Sequence, residues 1–334
     1  MTRISLLIAI PQPLRDQIMD GATLERARTL ADVTLNEAGR NWSGEELAAH
    51  LPGQDVLLAS WGLAPLTAEV LASADRLQLV AYAAGSVKGW ATDALFARGV
   101  RITHAASRIA DSVADYTLVL AMMGLRRPQD FDRQMKAGEP WPKPVCLDQF
   151  EICGKRVGLL GFGYVGRRTA ALFRAVGAEV TAYDPYVSAE EMATNGVAKA
   201  ALREILTSCQ IVSVHLPVTP ETHHVIGADE LALLSDGCVF INTARSWVID
   251  QDALLAELRR GRIWAALDVY DQEPLPREHP FRTLDNVLLS PHVAGMTADS
   301  YLGLAATMVA DIERFVAGYP LLFEVRQDSL ARMA

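Results

Sequence analysis

No stretch of this chain is apolar for the roughly 20 residues that a bilayer-spanning helix needs, so no membrane segment is expected. The opening run from Ile4 to Ile10 is cut short by Pro11, and no small-residue cleavage site follows, so it reads as a first strand and not a leader. Cysteine is scarce: Cys146, Cys153, Cys209 and Cys238 have no paired metal-type spacing, and reduced thiols in a cytoplasmic protein are expected. His223-His224 has no third ligand at metal spacing either, so no metal is expected. Repeats, low-complexity tracts and blocks of one charge are absent, and a net charge of −9 argues against a broad nucleic-acid surface.

Half of the 334 residues are hydrophobic, enough for two domains that each bury a core. The organising stretch is Val157-Gly158-Leu159-Leu160-Gly161-Phe162-Gly163-Tyr164-Val165-Gly166, an apolar run that breaks into glycines and resumes with helical spacing. Such a pattern alone could be only a strand-to-helix turn. Here a strand precedes it, a helix follows, and Asp184 stands about twenty residues on at the end of a second strand. Gly161 permits the turn, Gly163 lets a pyrophosphate approach, Gly166 lets the helix pack, and the first helical N–H groups at Tyr164 and Val165 face the anion. A carboxylate at Asp184 accepts hydrogen bonds from ribose hydroxyls and repels a 2′-phosphate, so NAD is the expected cofactor.

Residues 1–110 read as a smaller α/β domain with strands near Ile4–Ile10, Val56–Ala59, Leu79–Ala81 and Arg101–Thr103. From Asp111 an apolar helix runs to Arg126-Arg127-Pro128, and Gly138 to Pro144 reads as an extended proline-rich arm. Strands near Val157–Leu160, Val180–Tyr183, Ile211–Leu216, Val239–Asn242, Trp264–Val269 and Val287–Ser290 alternate with helices, which predicts a doubly wound sheet over residues 111–296. Residues 297–334 supply another helix and a strand that returns to the first domain, making the nucleotide domain an insertion.

Three polar residues stand just past late strands, where a parallel sheet places its ligand crevice: Arg245, Glu273 and His292. A guanidinium binds a carboxylate and polarises a carbonyl, an imidazole moves a proton near neutral pH, and a carboxylate beside it fixes its tautomer. Each alone also fits an ordinary turn residue.

The glycine turn, Val214-His215-Leu216-Pro217-Val218-Thr219-Pro220-Glu221-Thr222, Ile241-Asn242-Thr243-Ala244-Arg245, Leu267-Asp268-Val269-Tyr270-Asp271-Gln272-Glu273-Pro274 and Ser290-Pro291-His292-Val293-Ala294-Gly295 resemble, in order, the motifs of the D-isomer-specific 2-hydroxyacid dehydrogenases. The resemblance implies that Arg245 binds the substrate carboxylate and carbonyl, His292 is the acid/base and Glu273 its partner. It further implies that Asp268 faces the nicotinamide, that His215, Pro217 and Thr222 wall the adenine side, and that Thr243 and Gly295 also belong to the cofactor site. A loop similar to Gly85-Ser86-Val87 makes the family's carboxylate nest from backbone N–H groups, and Trp61 is a candidate selector nearby. Where the family loop commonly continues Gly-Val-Asp-Asn, this chain has Lys88-Gly89, which resembles the phosphite dehydrogenases of the superfamily and puts a cation beside a small anionic substrate.

The expectation is therefore an α/β protein of two Rossmann-like domains, a doubly wound parallel sheet for NAD inserted into a smaller flavodoxin-like substrate domain. It is expected to interconvert a 2-oxo acid and a (R)-2-hydroxy acid as a homodimer. The alternatives are a phosphite-type oxyanion dehydrogenase and an NAD-sensing binding protein similar to the C-terminal-binding corepressors.

Overall fold

The structure is a computed structural model that describes residues 3–142, 149–330 and 332–333. Contacts divide the chain into two units, Met1–Ile109 with Met296–Ala334, and Ala110–Gly295. The first stretch supplies β1 (Ile4–Ile8), β2 (Ala31–Leu35), β3 (Val56–Ala59), β4 (Leu79–Tyr82) and β5 (Arg101–His104). The middle of the chain supplies β6 (Arg156–Leu160), β7 (Glu179–Tyr183), β8 (Ala198–Lys199), β9 (Ile211–Val214), β10 (Val239–Asn242), β11 (Trp264–Leu267) and β12 (Val287–Leu289), and the last stretch supplies β13 (Glu324–Val325). Among the described residues no helix is long and apolar enough to cross a membrane.

The sheet of the first unit has the order β13-β5-β4-β3-β1-β2, with β13 antiparallel to β5 and the rest parallel. Without β13 this is the 2-1-3-4-5 order of flavodoxin-like folds. The helix Ala298–Val316 lays Leu304, Met308, Val309 and Ile312 onto the face that carries Leu6, Ile8, Leu58 and Leu79. Its buried Asp311 then accepts the Thr103 hydroxyl and the N–H groups of Leu322 (2.8 Å) and Phe323 (3.2 Å), which steers the chain into β13. Arg101 and Glu324 pair across that edge at 2.6 Å.

The seven-stranded sheet of the second unit has the order β12-β11-β10-β9-β6-β7-β8 and is parallel throughout. Its central strands are buried along their whole length and mostly apolar, with Ser213 and Asn242 the polar residues of β9 and β10, because helices cover both faces. Side chains alternate between two cores, with Leu160, Val212, Val214 and Phe240 in one and Leu159, Ile211, Val239 and Ile241 in the other. The chain winds outward from β6 through β7 and β8, then returns to β9 and winds the other way. The switch point at the C-terminal ends of β6 and β9 is where open sheets of this kind bind ligands.

Several elements differ from the sequence expectation. Strand β2 was not anticipated: it follows the helix Gly21–Leu30 with no glycine or proline between them, and only one of its residues is fully buried. At two residues, β8 is too short to show a pattern. The long helix begins at Ala106, not Asp111. The long helix closes at Arg126 as expected, but a second helix, Pro128–Lys136, follows at once, after Arg127 turns the corner in a left-handed conformation (φ 47°); proline suits a first helical position because that N–H has no partner in any case. Of the proline-rich arm, Lys143 and Pro144 lie outside the described residues, as does Cys146, while Trp141 is 73% exposed.

Candidate active site

The turn after β6 is built around two close backbone approaches. Gly161 has φ +104°, and a β-carbon there would lie 2.7 Å from the carbonyl group of His215. At Gly166 a β-carbon would meet the Gly161 oxygen at 2.3 Å. Gly163 is different, because nothing lies within 4 Å of its would-be β-carbon. It is the N-cap of the helix Tyr164–Ala175, which has neither a side-chain cap nor an acidic residue in its first turn. The N–H groups of Tyr164, Val165 and Gly166 therefore keep their partial positive charge for an anion laid over Gly163. Packing explains two of the glycines; open space over the third fits a dinucleotide pyrophosphate.

Asp184 follows β7 and is half-buried. Its Oδ2 accepts the Phe162 N–H at 2.8 Å and its Oδ1 the Tyr186 N–H at 2.9 Å, so it braces the glycine turn with lone pairs to spare for a ribose diol. His215 follows β9; its Nε2 lies 3.1 Å from the Ser213 hydroxyl, while Nδ1 is buried with no hydrogen-bond partner. Burial pushes this imidazole down to about 3, so it is neutral. Thr222 turns its hydroxyl to the Pro217 carbonyl (2.5 Å) and accepts the Thr219 N–H (2.8 Å), which shapes the 217–222 turn. The Thr243 hydroxyl is buried against that of Thr117 at 3.0 Å. Gly295 is the last residue of this unit.

Arg245, Glu273 and His292 are brought together. All three line one cavity of about 360 Å³ with Val218, Trp247 and Tyr270. His292 Nδ1 donates to Glu273 Oε2 at 2.8 Å, and Glu273 Oε1 accepts the Tyr270 N–H at 3.0 Å. Burial works against the ionised carboxylate of Glu273. Hydrogen bonds from His292 and Tyr270, with the charge of Arg245 nearby, outweigh it and hold the group below its ordinary value. Burial also lowers the Arg245 guanidinium, against the pull of Glu273. Asn242 fixes the Arg245 loop, donating to the Arg245 carbonyl at 3.0 Å and accepting the Ala244 N–H at 3.0 Å. Asp268 is wholly buried, its carboxylate turned toward residues 290–294.

The remaining predicted residues share one edge of the other unit. Trp61 follows β3 and Gly85, Ser86, Val87 and Lys88 follow β4, adjacent strands whose loops are tied by the Ser60 hydroxyl donating to the Ala83 carbonyl at 2.8 Å. Trp61 packs on Tyr301 with ring centroids 5.4 Å apart, and Lys88 is exposed. The Val87 side chain is core, so only its backbone faces outward chemistry. His104, at the end of β5, buries its Nδ1 at 2.9 Å from the Gly85 carbonyl and supports this loop. Tyr270 and Ser290 were also missed as supports; each lies one or two residues from a predicted site residue.

The family model for the D-isomer specific 2-hydroxyacid dehydrogenase, NAD binding domain, matches residues 118–294. A glyoxylate reductase from Thermofilum pendens is 33% identical over 301 residues, 88% of this chain and 88% of that protein. A D-3-phosphoglycerate dehydrogenase from Archaeoglobus fulgidus is 30% identical over 295 residues, 88% of this chain but 55% of that protein, so the chain spans about half the length of that relative. Among solved structures, a phosphoglycerate oxidoreductase from Rhizobium etli is 25% identical, with a TM-score of 0.84 over 98% of this chain and 99% of that one.

Proposed function

This chain belongs to the D-isomer-specific 2-hydroxyacid dehydrogenase family, whose cofactor is NAD, and from that premise we propose that it interconverts a 2-oxo acid and the matching (R)-2-hydroxy acid. The observation that carries the reading is the 2.8 Å pairing of His292 with Glu273 in the cavity that also holds Arg245. Bound NAD supplies the hydride chemistry at C2. With Nδ1 committed to Glu273, His292 has Nε2 left to give a proton to the substrate oxygen during reduction or take it back during oxidation. Glu273, anionic because its titration is depressed, fixes the tautomer and stabilises the imidazolium. Arg245 binds the substrate carboxylate and offsets the charge that grows on the carbonyl oxygen. The carboxylate of Asp184 selects NAD over NADP.

Turnover of a panel of 2-oxo acids with NADH and NADPH tests this directly. Absence of turnover with every 2-oxo acid would overturn it. Phosphite with NAD belongs in the same panel, because the cation of Lys88 in the loop after β4 favours an oxyanion as the second reading.

We also propose a cytoplasmic homodimer. The helix Ala106–Arg126 leaves Val119 and Met122 exposed three residues apart, and buried thiols such as Cys238, pushed up to about 12 by burial, suit a reducing compartment. Sedimentation of a monomer at micromolar concentration would reject the dimer.

A further inference from the structure

His292 stands in a left-handed backbone conformation, φ 55°, that an L residue holds only when its surroundings impose it. Most of the imposing contacts end on one residue. Asp268, buried at the end of β11, accepts the Ser290 hydroxyl (2.5 Å) and the Val293 N–H (3.0 Å) on Oδ1, and the Ala294 N–H (2.9 Å) on Oδ2. Its carbonyl accepts the His292 N–H at 2.8 Å. Residues on both sides of His292 are gathered onto a single carboxylate. Nearby, the Tyr270 hydroxyl lies within hydrogen-bond distance of the Leu267 carbonyl (2.8 Å) and the Ser290 carbonyl (2.9 Å), so the ends of β11 and β12 are joined beneath the same loop.

A buried carboxylate is costly unless donors surround it, and closing a loop needs no charge. Three donors aimed at one carboxylate instead fix a direction, that of the Cα–Cβ bond of His292. We propose that Asp268 and Ser290 are positioning residues for the reaction, a clamp that holds the His292 backbone where its ring meets Glu273. The inference rests on His292 as the proton donor, so the test reads the clamp separately from turnover.

The clamp is read by NMR of protein labelled with ¹⁵N-histidine; the chain has seven histidines, and His292→Gln identifies the one that matters. Ser290→Ala and Asp268→Asn should each shift or broaden the His292 ring nitrogens and leave those of His104 and His215 in place. Ser290→Thr, which keeps the hydroxyl, should restore the unaltered signal. In turnover, Ser290→Ala should lower kcat about tenfold, the scale of one lost hydrogen bond to a charged group. Asp268→Asn should lower it further, never beyond His292→Gln, while the NADH Kd of Ser290→Ala stays within about twofold. In the His292→Gln background both changes should be silent, because nothing remains to be positioned. A His292 signal unmoved in both variants overturns the clamp whatever the turnover. A loss that in Ser290→Ala persists without His292, or falls on NADH affinity, overturns it as well. If the signal moves as expected but no 2-oxo acid is reduced, the clamp stands and the proposed reaction falls.

Discussion

Two alanine substitutions in one turn separate a ligand site from mere packing. At Gly166 the new methyl would sit 2.3 Å from the Gly161 oxygen, where an ordinary carbon–oxygen contact is about 3.3 Å or more. The helix would have to move off the turn by about 1 Å, and since the neighbour is backbone, the cost belongs at the upper end of the 1–3 kcal/mol typical of overpacking. Better helix propensity returns at most about 1 kcal/mol. The net loss of about 2 kcal/mol lowers the unfolding temperature of a unit this size by roughly 4–8 °C. Gly163 has φ −77° and open space, so Gly163→Ala costs folding no more than the roughly 1 kcal/mol of a weaker N-cap. A pyrophosphate passing over it would collide with the methyl, and a tenfold or larger rise in NADH Kd corresponds to at least about 1.4 kcal/mol. Calorimetric melting of both variants and NADH titration by fluorescence measure the two quantities. If Gly163→Ala binds NADH as well as the unaltered protein, the turn is not a phosphate site.

Asp184→Ala should weaken NADH binding and raise the NADPH-to-NADH ratio of kcat/KM; an unaltered enzyme that already prefers NADPH would contradict the role given to this carboxylate. His292→Gln should lower kcat by about 10² to 10⁴ with little change in NADH affinity. Glu273→Gln should add little to it, since the carboxylate acts through that imidazole, and a double variant showing the product of two independent losses would break the pairing. His215 gives a pH prediction: unfolded, it takes a proton near 6.5, but folded only near 3. Its contribution is complete above pH 6.5 and is lost at about 1.4 kcal/mol per pH unit as pH falls toward 3, or about 2 kcal/mol by pH 5. Urea midpoints at pH 5 and 7.5 should therefore differ less in His215→Gln, and an equal difference would show that the buried ring is not the titrating group.

The core strands were legible because parallel strands covered on both faces are nearly continuous apolar runs, as in Val239-Phe240-Ile241. Edge strands such as β2 and β8 lack that signature. Arg245, Glu273 and His292 were legible because each stands just past a strand end, and chain order alone puts those ends on one edge of the sheet. Their supports were not. Ser290 meets Asp268 across 22 positions, and His104 meets Gly85 across 19, so no local pattern carries either contact. The left-handed backbone of His292 was hidden too, since histidine carries no mark of it as glycine does. The helix Pro128–Lys136 was hidden for a related reason: a proline that follows one helix also suits the start of another, and only the corner at Arg127 shows that it does both here.

The returning helix Ala298–Val316 also sets an order of events during synthesis. When the first 109 residues leave the ribosome, the face bearing Leu6, Ile8, Leu58 and Leu79 has no cover, because Leu304, Met308, Val309 and Ile312 have not been made. The middle unit is contiguous and can close on itself while that face waits. A chain stopped near residue 295 thus has a complete nucleotide fold joined to an open apolar sheet face. An open apolar face of this kind is what makes a partly synthesised chain prone to aggregate.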